Sequence, residues 1–439
     1  MTTGRLHRWR WSPARPQLSL CYGGGYRPCP QWVHVRFILS IGFAALCTLQ
    51  LSCTRHEAEP PSQSAVSEPV ETVGAGGTSQ TPGSEWNADI DELRTSFDTM
   101  LLDPTGMWNR VRDETSAFPE GDLFVLVYAA AGYVNLALAG ELERQHAERQ
   151  ARTLLEMAVR ASERVVDVGS GDLLLLEDYR GFATYLGQLN LGLSVYALVG
   201  EDEALLALNS HLSDILHAAL SAQPASVLQS YPELRWPFDT IPVLVSLYLY
   251  DERTDTQRSA AAIREHLEWV RSQATDPETG LPYSWISEDG RRTEVPRGCD
   301  LGLRISLIGH LDPQAAGQLY AEFVEHFWIQ RWFGAGFAEW PLGSSDVADA
   351  DSGPVVLGIG FAASGFGIAA AKATSDHARL RALTNALTIV SSLLRGVASI
   401  SPSSGQDLLQ LSADYRTGFL LGDALLFYGL TWQRWSKSG

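Results

Sequence analysis

Carboxylates are the side chains of this sequence best suited to chemistry. Several lie just before long apolar segments, and others lie in an aromatic loop. Two carboxylates that face each other across a cleft suffice to hydrolyse a glycosidic bond, one as general acid and the other as base or nucleophile. An aspartate is equally suited to cap a helix, because its carboxylate accepts the unpaired N–H groups there. The candidate catalytic residues are Glu339, Asp351, Asp300 and Asp239.

Polar residues near these acids are candidates for binding a substrate. The tripeptide Asp-Tyr-Arg at 178–180 recurs at 414–416. An arginine beside an aspartate either closes a loop as an ion pair or presents its planar fork to an anionic or polyhydroxylated ligand. Gln188 and Asn190 interrupt the apolar stretch that follows the first copy. Buried amides need partners, which the hydroxyl groups of a ligand would supply.

Aromatic residues are concentrated in three segments near these acids. The segment 231–239 (YPELRWPFD) forms either a stacking platform for sugar rings or a rigid corner between helices. The segment 332–354 has no helical period, and a long loop of this kind in a compact domain is usually functional. The stretches 281–287 and 291–296 flank a turn typical of a hairpin. The candidate substrate-binding residues are Asp178, Tyr179, Arg180, Gln188, Trp236, Tyr283, Trp285 and Trp340.

Several classes of site are absent from the sequence. It contains no HExxH zinc motif, no glycine-rich phosphate loop and no nucleophile elbow. We therefore expect no metal and no cofactor. Cys299 lies beside Asp300, where a thiol next to an acid would suit lyase or isomerase chemistry. The alternative is that this cysteine only fills space in the core.

The N-terminal part of the chain predicts export. The uncharged stretch 37–51 is preceded by Arg36 and followed by Ser52-Cys53. It is short for a membrane span and typical of the core of a signal peptide. Ser52-Cys53 resembles the cleavage site of bacterial lipoproteins, in which the cysteine is lipidated. We predict a non-native extension over 1–34, a signal peptide over 35–52, lipidation of Cys53 and a disordered tether over 53–84.

The charge of the remaining chain excludes one class of partner. The full sequence has a formal charge of −18, and its first 52 residues hold six Arg and no acid. The rest therefore has 27 basic and 51 acidic residues, a balance of −24. So acidic a body repels the phosphate backbone, and we expect no nucleic-acid partner.

Two kinds of helix alternate from residue 85 to 439. The first kind is amphipathic, with apolar residues at three- and four-residue steps, as in 201–220, and it buries one side only. The second kind is apolar nearly all round, as in 182–199, and must be buried on every side. The amphipathic segments are 87–101, 143–167, 201–220, 256–273, 312–330 and 376–395. The apolar segments are 122–138, 182–199, 240–250, 300–311, 354–371 and 417–432.

The apolar helices recur about every 58 residues, beginning near Asp122, Asp178, Asp239, Asp300, Asp351 and Asp414. Such a repeat of helical hairpins closes if the apolar helices form an inner ring within an outer ring of amphipathic ones. We predict an all-α domain over 85–439, an (α/α)6 toroid. In this architecture the chain resembles the six-hairpin toroid superfamily, which includes many glycoside hydrolases, some polysaccharide lyases and, more remotely, linalool dehydratase-isomerase. The resemblance implies a functional cleft where the inner helices begin.

These observations leave three functions open. The first is a membrane-anchored carbohydrate-active enzyme that hydrolyses a small-molecule or oligosaccharide substrate with a pair of rim carboxylates. The second is a lyase or isomerase of an apolar substrate that uses Cys299, Asp300 and Tyr179. The third is a non-enzymatic binding scaffold, in which the rim acids serve only as caps or ion pairs.

Overall fold

The computed structural model describes residues 86–436 apart from 117, 119, 167–170, 223–226, 288–292, 333, 345–351, 354 and 401–414. The predicted extension, signal peptide and tether, with Cys53, lie outside the described residues, as do Asp351 and Asp414. The described residues belong to one compact unit. The helices are α1 (Asn87–Met100), α2 (Pro104–Glu114), α3 (Gly121–Leu138), α4 (Arg144–Val165), α5 (Ala183–Tyr196), α6 (Glu203–Ala222), α7 (Thr240–Thr254), α8 (Ala260–Gln273), α9 (Gly298–Leu311), α10 (Pro313–Phe327), α11 (Phe361–Ala373), α12 (His377–Ile400) and α13 (Leu420–Thr431).

Six apolar helices, α3, α5, α7, α9, α11 and α13, form a closed inner ring. Each packs against the inner helix before it and the one after it, and α13 packs against α3. Burial explains their apolar composition. Every residue of α5 is buried, so polar side chains on any face of this helix would have no contact with water. Close packing also requires small residues: a Cβ on Gly302 of α9 would lie 2.7 Å from the Cβ of Phe366 in α11. The predicted ring of six inner helices is confirmed.

The amphipathic helices form the outer layer. Helix α4 packs against α3 and α5, α6 against α5 and α7, and α10 against α9 and α11. Helix α8 packs on α7, α12 on α11, and α1 on α13, so each inner helix has an outer neighbour. In α4 the buried residues follow the helical period, with Ala147, Ala151, Leu154 and Ala158 on the inner side. The (α/α)6 toroid predicted from the alternation of helix types is therefore the observed fold.

Three local features differ from the predicted helices. Helix α2 was not predicted; it begins after Asp103, whose side chain caps it, and has Pro104 at its first position. The predicted helix 312–330 ends at Phe327, because Trp328–Arg331 pair as β1 with Gly334–Phe337 as β2. The predicted helix 354–371 begins only at Phe361, since Val355–Val356 and Ile359–Gly360 form a second hairpin, β3–β4.

A short C-terminal segment closes the end of the ring where the inner helices finish. The side chain of Trp435 is fully buried and stacks on His310 of α9, with ring centroids 3.9 Å apart. Its backbone N–H donates to His310 Nδ1 at 3.1 Å, and its indole N–H donates to Asn135 Oδ1 of α3 at 2.7 Å. The segment thus ties two inner helices together at the end of the ring where they finish.

Within the described residues, one helix, α3, is long and apolar enough to cross a membrane. It is also an inner helix of the ring, with 89% of that apolar window buried inside the protein. Its composition is accounted for by the core.

Candidate functional site

Asp239 lies at the point where α7 begins and is almost fully buried, with 7% of its surface exposed. Its Oδ2 accepts a hydrogen bond from Thr184 Oγ1 of α5 at 2.8 Å, and the Ser230 hydroxyl is a second donor. Burial raises the pKa of Asp239 to about 6; the two hydroxyl donors oppose this rise, and the nearby charge of Asp300 adds to it. Asp239 is therefore a carboxyl group that carries a proton in mildly acidic solution.

Asp300 lies in the first turn of the next inner helix, α9, and is held by an arginine. Arg304, one turn further along, donates from Nε to Oδ1 at 2.7 Å and from Nη2 to Oδ2 at 2.8 Å. The guanidinium group is completely buried and the Asp300 side chain is 10% exposed. Burial raises the pKa of Asp300, against the attraction of Arg304 and, more weakly, Arg297. A two-bond ion pair of this kind holds the carboxylate in one orientation.

The two acids form an asymmetric pair. Asp239 has only neutral hydroxyl donors, whereas Asp300 has a cation bonded to both of its oxygens. Protonating Asp300 would weaken its ion pair, whereas protonating Asp239 removes a buried charge that has no cation bonded to it. Two neighbouring carboxyl groups whose surroundings separate their protonation states are the arrangement that general acid and base roles require.

A second layer of polar groups lies one to two turns below this pair. The hydroxyl of Tyr128 in α3 donates to Gln188 Oε1 in α5 at 3.0 Å. The ring of Tyr128 lies 5.0 Å from that of Tyr428 in α13, whose hydroxyl is 3.4 Å from Ser306 Oγ of α9. Four of the six inner helices thus contribute polar groups to the interior of the ring.

Aromatic residues precede Asp239 in the chain and pack on one another. Tyr231 packs edge-on against Trp236 at 6.1 Å and against Tyr185 at 6.3 Å. The predicted hairpin is present on both sides of its turn, since Ser284 N donates to Glu294 O and Glu294 N donates to Trp285 O. The side chains of Trp236, Tyr283, Trp285 and Trp340 are all partly exposed.

Glu339 occupies a different setting from the one predicted for a catalytic acid. Its side chain is fully buried, and Oε1 accepts from Arg297 Nε at 2.9 Å. Arg297 also lies over the ring of Trp340, 5.6 Å from its centroid. The backbone N–H of Gly298 donates to the carbonyl of Glu339 at 2.7 Å. These contacts tie the chain after β2 to the start of α9.

The motif at 178–180 forms an exposed turn. Asp178 Oδ1 accepts from the backbone N–H of Arg180, which has a left-handed φ of 51°. Tyr179 packs against the core. In the second copy, Arg416 pairs with Asp89 of α1, and the backbone N–H of Arg416 donates to Asp423. The second copy therefore closes the ring between its first and last hairpins, which is the structural alternative for this motif.

Some of the other polar residues identified from the sequence are bonded within the protein, and others are partly exposed. Asp122 pairs with Arg164 at 3.1 Å. Asn190 bonds to Ser213 and Ser246 and is fully integrated between helices, whereas Gln188 faces Tyr128. Cys299 is partly exposed in the first turn of α9. Of the described residues, one group of metal-binding type is close together, Glu322, Glu325 and His326, and it lies on the outer helix α10.

Sequence reasoning did not identify Arg304, Thr184 or Asp423. Arg304 had a detectable signal, because it is the single charge in the apolar stretch LGLRISLIGH and follows Asp300 by four residues, which is the spacing of a helical ion pair. Asp423 lies inside α13, where Thr417 donates to it from both its backbone and its hydroxyl at 2.7 Å.

No protein-family model matches the chain. Solved structures with a similar arrangement include an alpha-1,6-mannanase of glycoside hydrolase family 76 from Salegentibacter sp. HEL1_6. Its sequence is 9% identical, the alignment covers 79% of this chain and 98% of the mannanase chain, and the TM-score is 0.48. An inactive variant of that enzyme in complex with alpha-1,6-mannotriose has the same identity and TM-score. A family 76 glycoside hydrolase from a bovine Bacteroides thetaiotaomicron strain is 10% identical, covers 70% of this chain and 68% of its own, and has a TM-score of 0.42. These likenesses concern the fold alone.

Proposed function

We propose that the protein is a carbohydrate-active enzyme that hydrolyses glycosidic bonds at the Asp239–Asp300 pair. The observation that carries this proposal is the difference between the two acids: a buried acid with hydroxyl donors at the start of α7, and a carboxylate bonded twice to Arg304 at the start of the next inner helix, α9. Glycoside hydrolysis needs one protonated and one ionised carboxyl group at the same time. Asp239 and Asp300 are the residues that would supply that combination.

In the proposed reaction Asp239 is the general acid. It passes its proton to the oxygen of the leaving sugar as the glycosidic bond breaks. Asp300 is the ionised partner, which either takes a proton from the attacking water or attacks the anomeric carbon itself. Arg304 is a positioning residue, because it fixes the orientation of Asp300 through two hydrogen bonds. Partly exposed Trp236 and Trp285 would stack on sugar rings.

The predicted catalytic roles of Glu339 and Asp351 are not part of this proposal. Glu339 pairs with Arg297 and its catalytic role stays a prediction, and Asp351 lies outside the described residues. The lyase or isomerase alternative gains no specific support, since the interior of the ring carries a polar layer, whereas an apolar substrate needs mainly apolar walls.

The experiment is a hydrolysis assay of the purified protein on a panel of polysaccharides, including alpha-1,6-mannan because the solved structures of similar arrangement include alpha-1,6-mannanases. For any substrate that is cleaved, Asp239→Asn and Asp300→Asn are each expected to lower kcat by about 100-fold or more, the contribution of one acid or base group. The matched control is Asp423→Asn, which changes an equally buried acid, with a pKa also raised to about 6, on another inner helix. Activity that survives both active-site changes would refute the proposal.

We also propose that the protein is exported and anchored through Cys53. This rests on the uncharged stretch 37–51 and the Ser52-Cys53 pair that follows it. Mass spectrometry of the protein from a bacterial membrane fraction is expected to show an N-terminal lipidated Cys53. A Cys53→Ala protein that remains equally membrane-bound would contradict the anchor.

A further inference from the structure

One imidazole and two carboxylates meet on the outer helix α10. Glu322, Glu325 and His326 each offer one ligand atom, and these three atoms lie within 4.8 Å of one another. Their spacing of three and four residues places them on the same face of the helix. The side chains of Glu322 and His326 are 47% and 29% exposed, so an ion from solution can reach them. In the sequence the set reads Glu-x-x-Glu-His, which differs from the HExxH zinc motif in having two acids and one histidine.

The two acids of this set have no arginine or lysine partner among the described residues. Glu322 has His326 as its ion-pair partner, at 3.9 Å, and Glu325 has none within the same part of the chain. The outer helix α8 shows a different arrangement, because Glu268 pairs with Arg271, three residues further along, at 2.7 Å. In α10 the positions three and four residues after Glu322 are instead occupied by a second acid and an imidazole, both of which bind metals.

The position of the set on the helix favours an added cation. Glu325 and His326 lie in the last turn of α10, which ends at Phe327. The C-terminal end of a helix dipole is negative, so it disfavours carboxylates and favours cations. The two carboxylates, three residues apart, also repel each other. A bound divalent cation relieves both of these unfavourable interactions.

The backbone that carries the three ligands is held by the core and by the chain that follows. The side chains of Phe323 and Phe327 are fully buried. The carbonyl of Phe327 accepts from the backbone N–H of Ala338 at 2.8 Å, and the carbonyl of His326 accepts from that of Leu342 at 2.9 Å. A site on such a supported helix needs little rearrangement to bind an ion.

We propose that Glu322, Glu325 and His326 bind a zinc ion on the outside of the ring. Zinc takes imidazole nitrogen and carboxylate oxygen as ligands and is most often four-coordinate. The protein supplies three ligands, and water takes the fourth position. Magnesium and calcium prefer sets made of oxygen alone, so the imidazole favours zinc. The site lies apart from Asp239 and Asp300, which are at the starts of inner helices, and does not depend on the proposed hydrolysis.

Zinc at this place stabilises more than the helix that binds it. The carbonyls of the last turn of α10 hold the backbone N–H groups of Ala338 and Leu342. These two residues flank Glu339 and Trp340, which the sequence analysis identified as candidate site residues. The bound ion therefore also supports the segment that carries them.

The experiment measures urea unfolding of the full chain at increasing concentrations of zinc. The three ligands come together only in the folded helix, so zinc binds this site in the folded state alone. At a free zinc concentration of about ten times the Kd, the unfolding equilibrium constant is expected to fall about 10-fold. Zinc that binds the folded and unfolded chains equally leaves this constant unchanged, so the assay detects a site formed by folding. Magnesium at the same concentration is expected to have a smaller effect.

Two variants remove one ligand each. His326→Ala and Glu322→Gln are expected to raise the zinc Kd about 10-fold or more, since even residues that only orient a metal ligand contribute that much. Each variant is compared with and without zinc, so a change in its own stability does not affect the result. The matched control is His217→Ala on the outer helix α6. His217 is also a partly exposed histidine three residues after an acid, but that acid, Asp214, pairs with Arg258 at 2.8 Å.

The control is expected to keep the full zinc effect. The site is wrong if zinc leaves the unfolding of the parent protein unchanged, or if magnesium stabilises it as strongly. It is also wrong if zinc stabilises His326→Ala as much as the parent. An equal loss of the zinc effect in His217→Ala would place the bound ion elsewhere and would likewise refute the site.

Discussion

Replacing Asp239 by asparagine measures how much a buried negative charge lowers the free energy of unfolding. The carboxyl group is fully buried, and its pKa is raised from the ordinary value of 3.8 to about 6, chiefly by burial. Each pKa unit corresponds to about 1.4 kcal/mol, so the rise is equivalent to about 3 kcal/mol. The folded state binds this proton more tightly than the unfolded state does, so protonation of Asp239 stabilises the fold. This stabilisation is fully present below pH 4 and is lost as the pH rises through about 6.

Asparagine has nearly the same shape and carries no charge. We therefore expect Asp239→Asn to be more stable than the parent protein at pH 8, by up to about 3 kcal/mol, and to match it near pH 4. The assay is urea unfolding followed by circular dichroism across this pH range. Asp178→Asn, in an exposed turn, serves as control and should change stability little at either pH.

The reasoning fails if Asp239→Asn is less stable than the parent at pH 8, or if the difference between the two proteins does not vary with pH. Either result would mean that folding does not raise the pKa of Asp239 as stated. Asp239 would then be ionised near pH 6 and have no proton to give there in the proposed reaction.

Three further predictions concern the site and its supports. Hydrolysis of a cleaved glycan should fall as the pH rises through about 6, because Asp239 loses its proton there; a pH–rate profile that stays flat to pH 8 would exclude it as general acid. Glu339→Ala should destabilise the fold by about 3–5 kcal/mol, since it removes the buried carboxylate that pairs with the Arg297 guanidinium; urea unfolding measures this, and Glu339→Ala combined with Arg297→Met should recover most of the loss. Trp435→Ala should cost about 3–5 kcal/mol by emptying the stack on His310, and an unchanged melting temperature would show that the C-terminal segment does not brace the ring.

The ring was predictable because the extent to which a helix is buried determines the pattern of polar and apolar residues in its sequence. A helix such as α5, buried on every side, has no polar stripe, and its outer neighbour α6 has one. Their regular alternation left few ways to bury both. The short hairpins were not predictable, since β3 and β4 are two residues each and follow from the left-handed turn at Leu357 and Gly358 rather than from a periodic pattern.

The site was only partly predictable, because local sequence patterns do not show which residues far apart in the chain form ion pairs. Asp239 and Asp300 were identified from their positions ahead of apolar helices, and both lie at the starts of neighbouring inner helices. Nothing in the sequence near Glu339 showed that Arg297, 42 residues earlier, would neutralise it. The sequence therefore did not predict the ion pair of Glu339, and its catalytic role stays a prediction.

The most direct test of the coupled acid pair is the pKa of the Asp239 carboxyl group, measured by carbon-13 NMR in the parent protein and in Asp300→Asn. The expected value in the parent is about 6. In the variant it should fall, because the repelling charge of Asp300 is gone and Arg304 no longer has a carboxylate to neutralise it. A value near 4 in the parent, or one that Asp300→Asn leaves unchanged, would contradict the account.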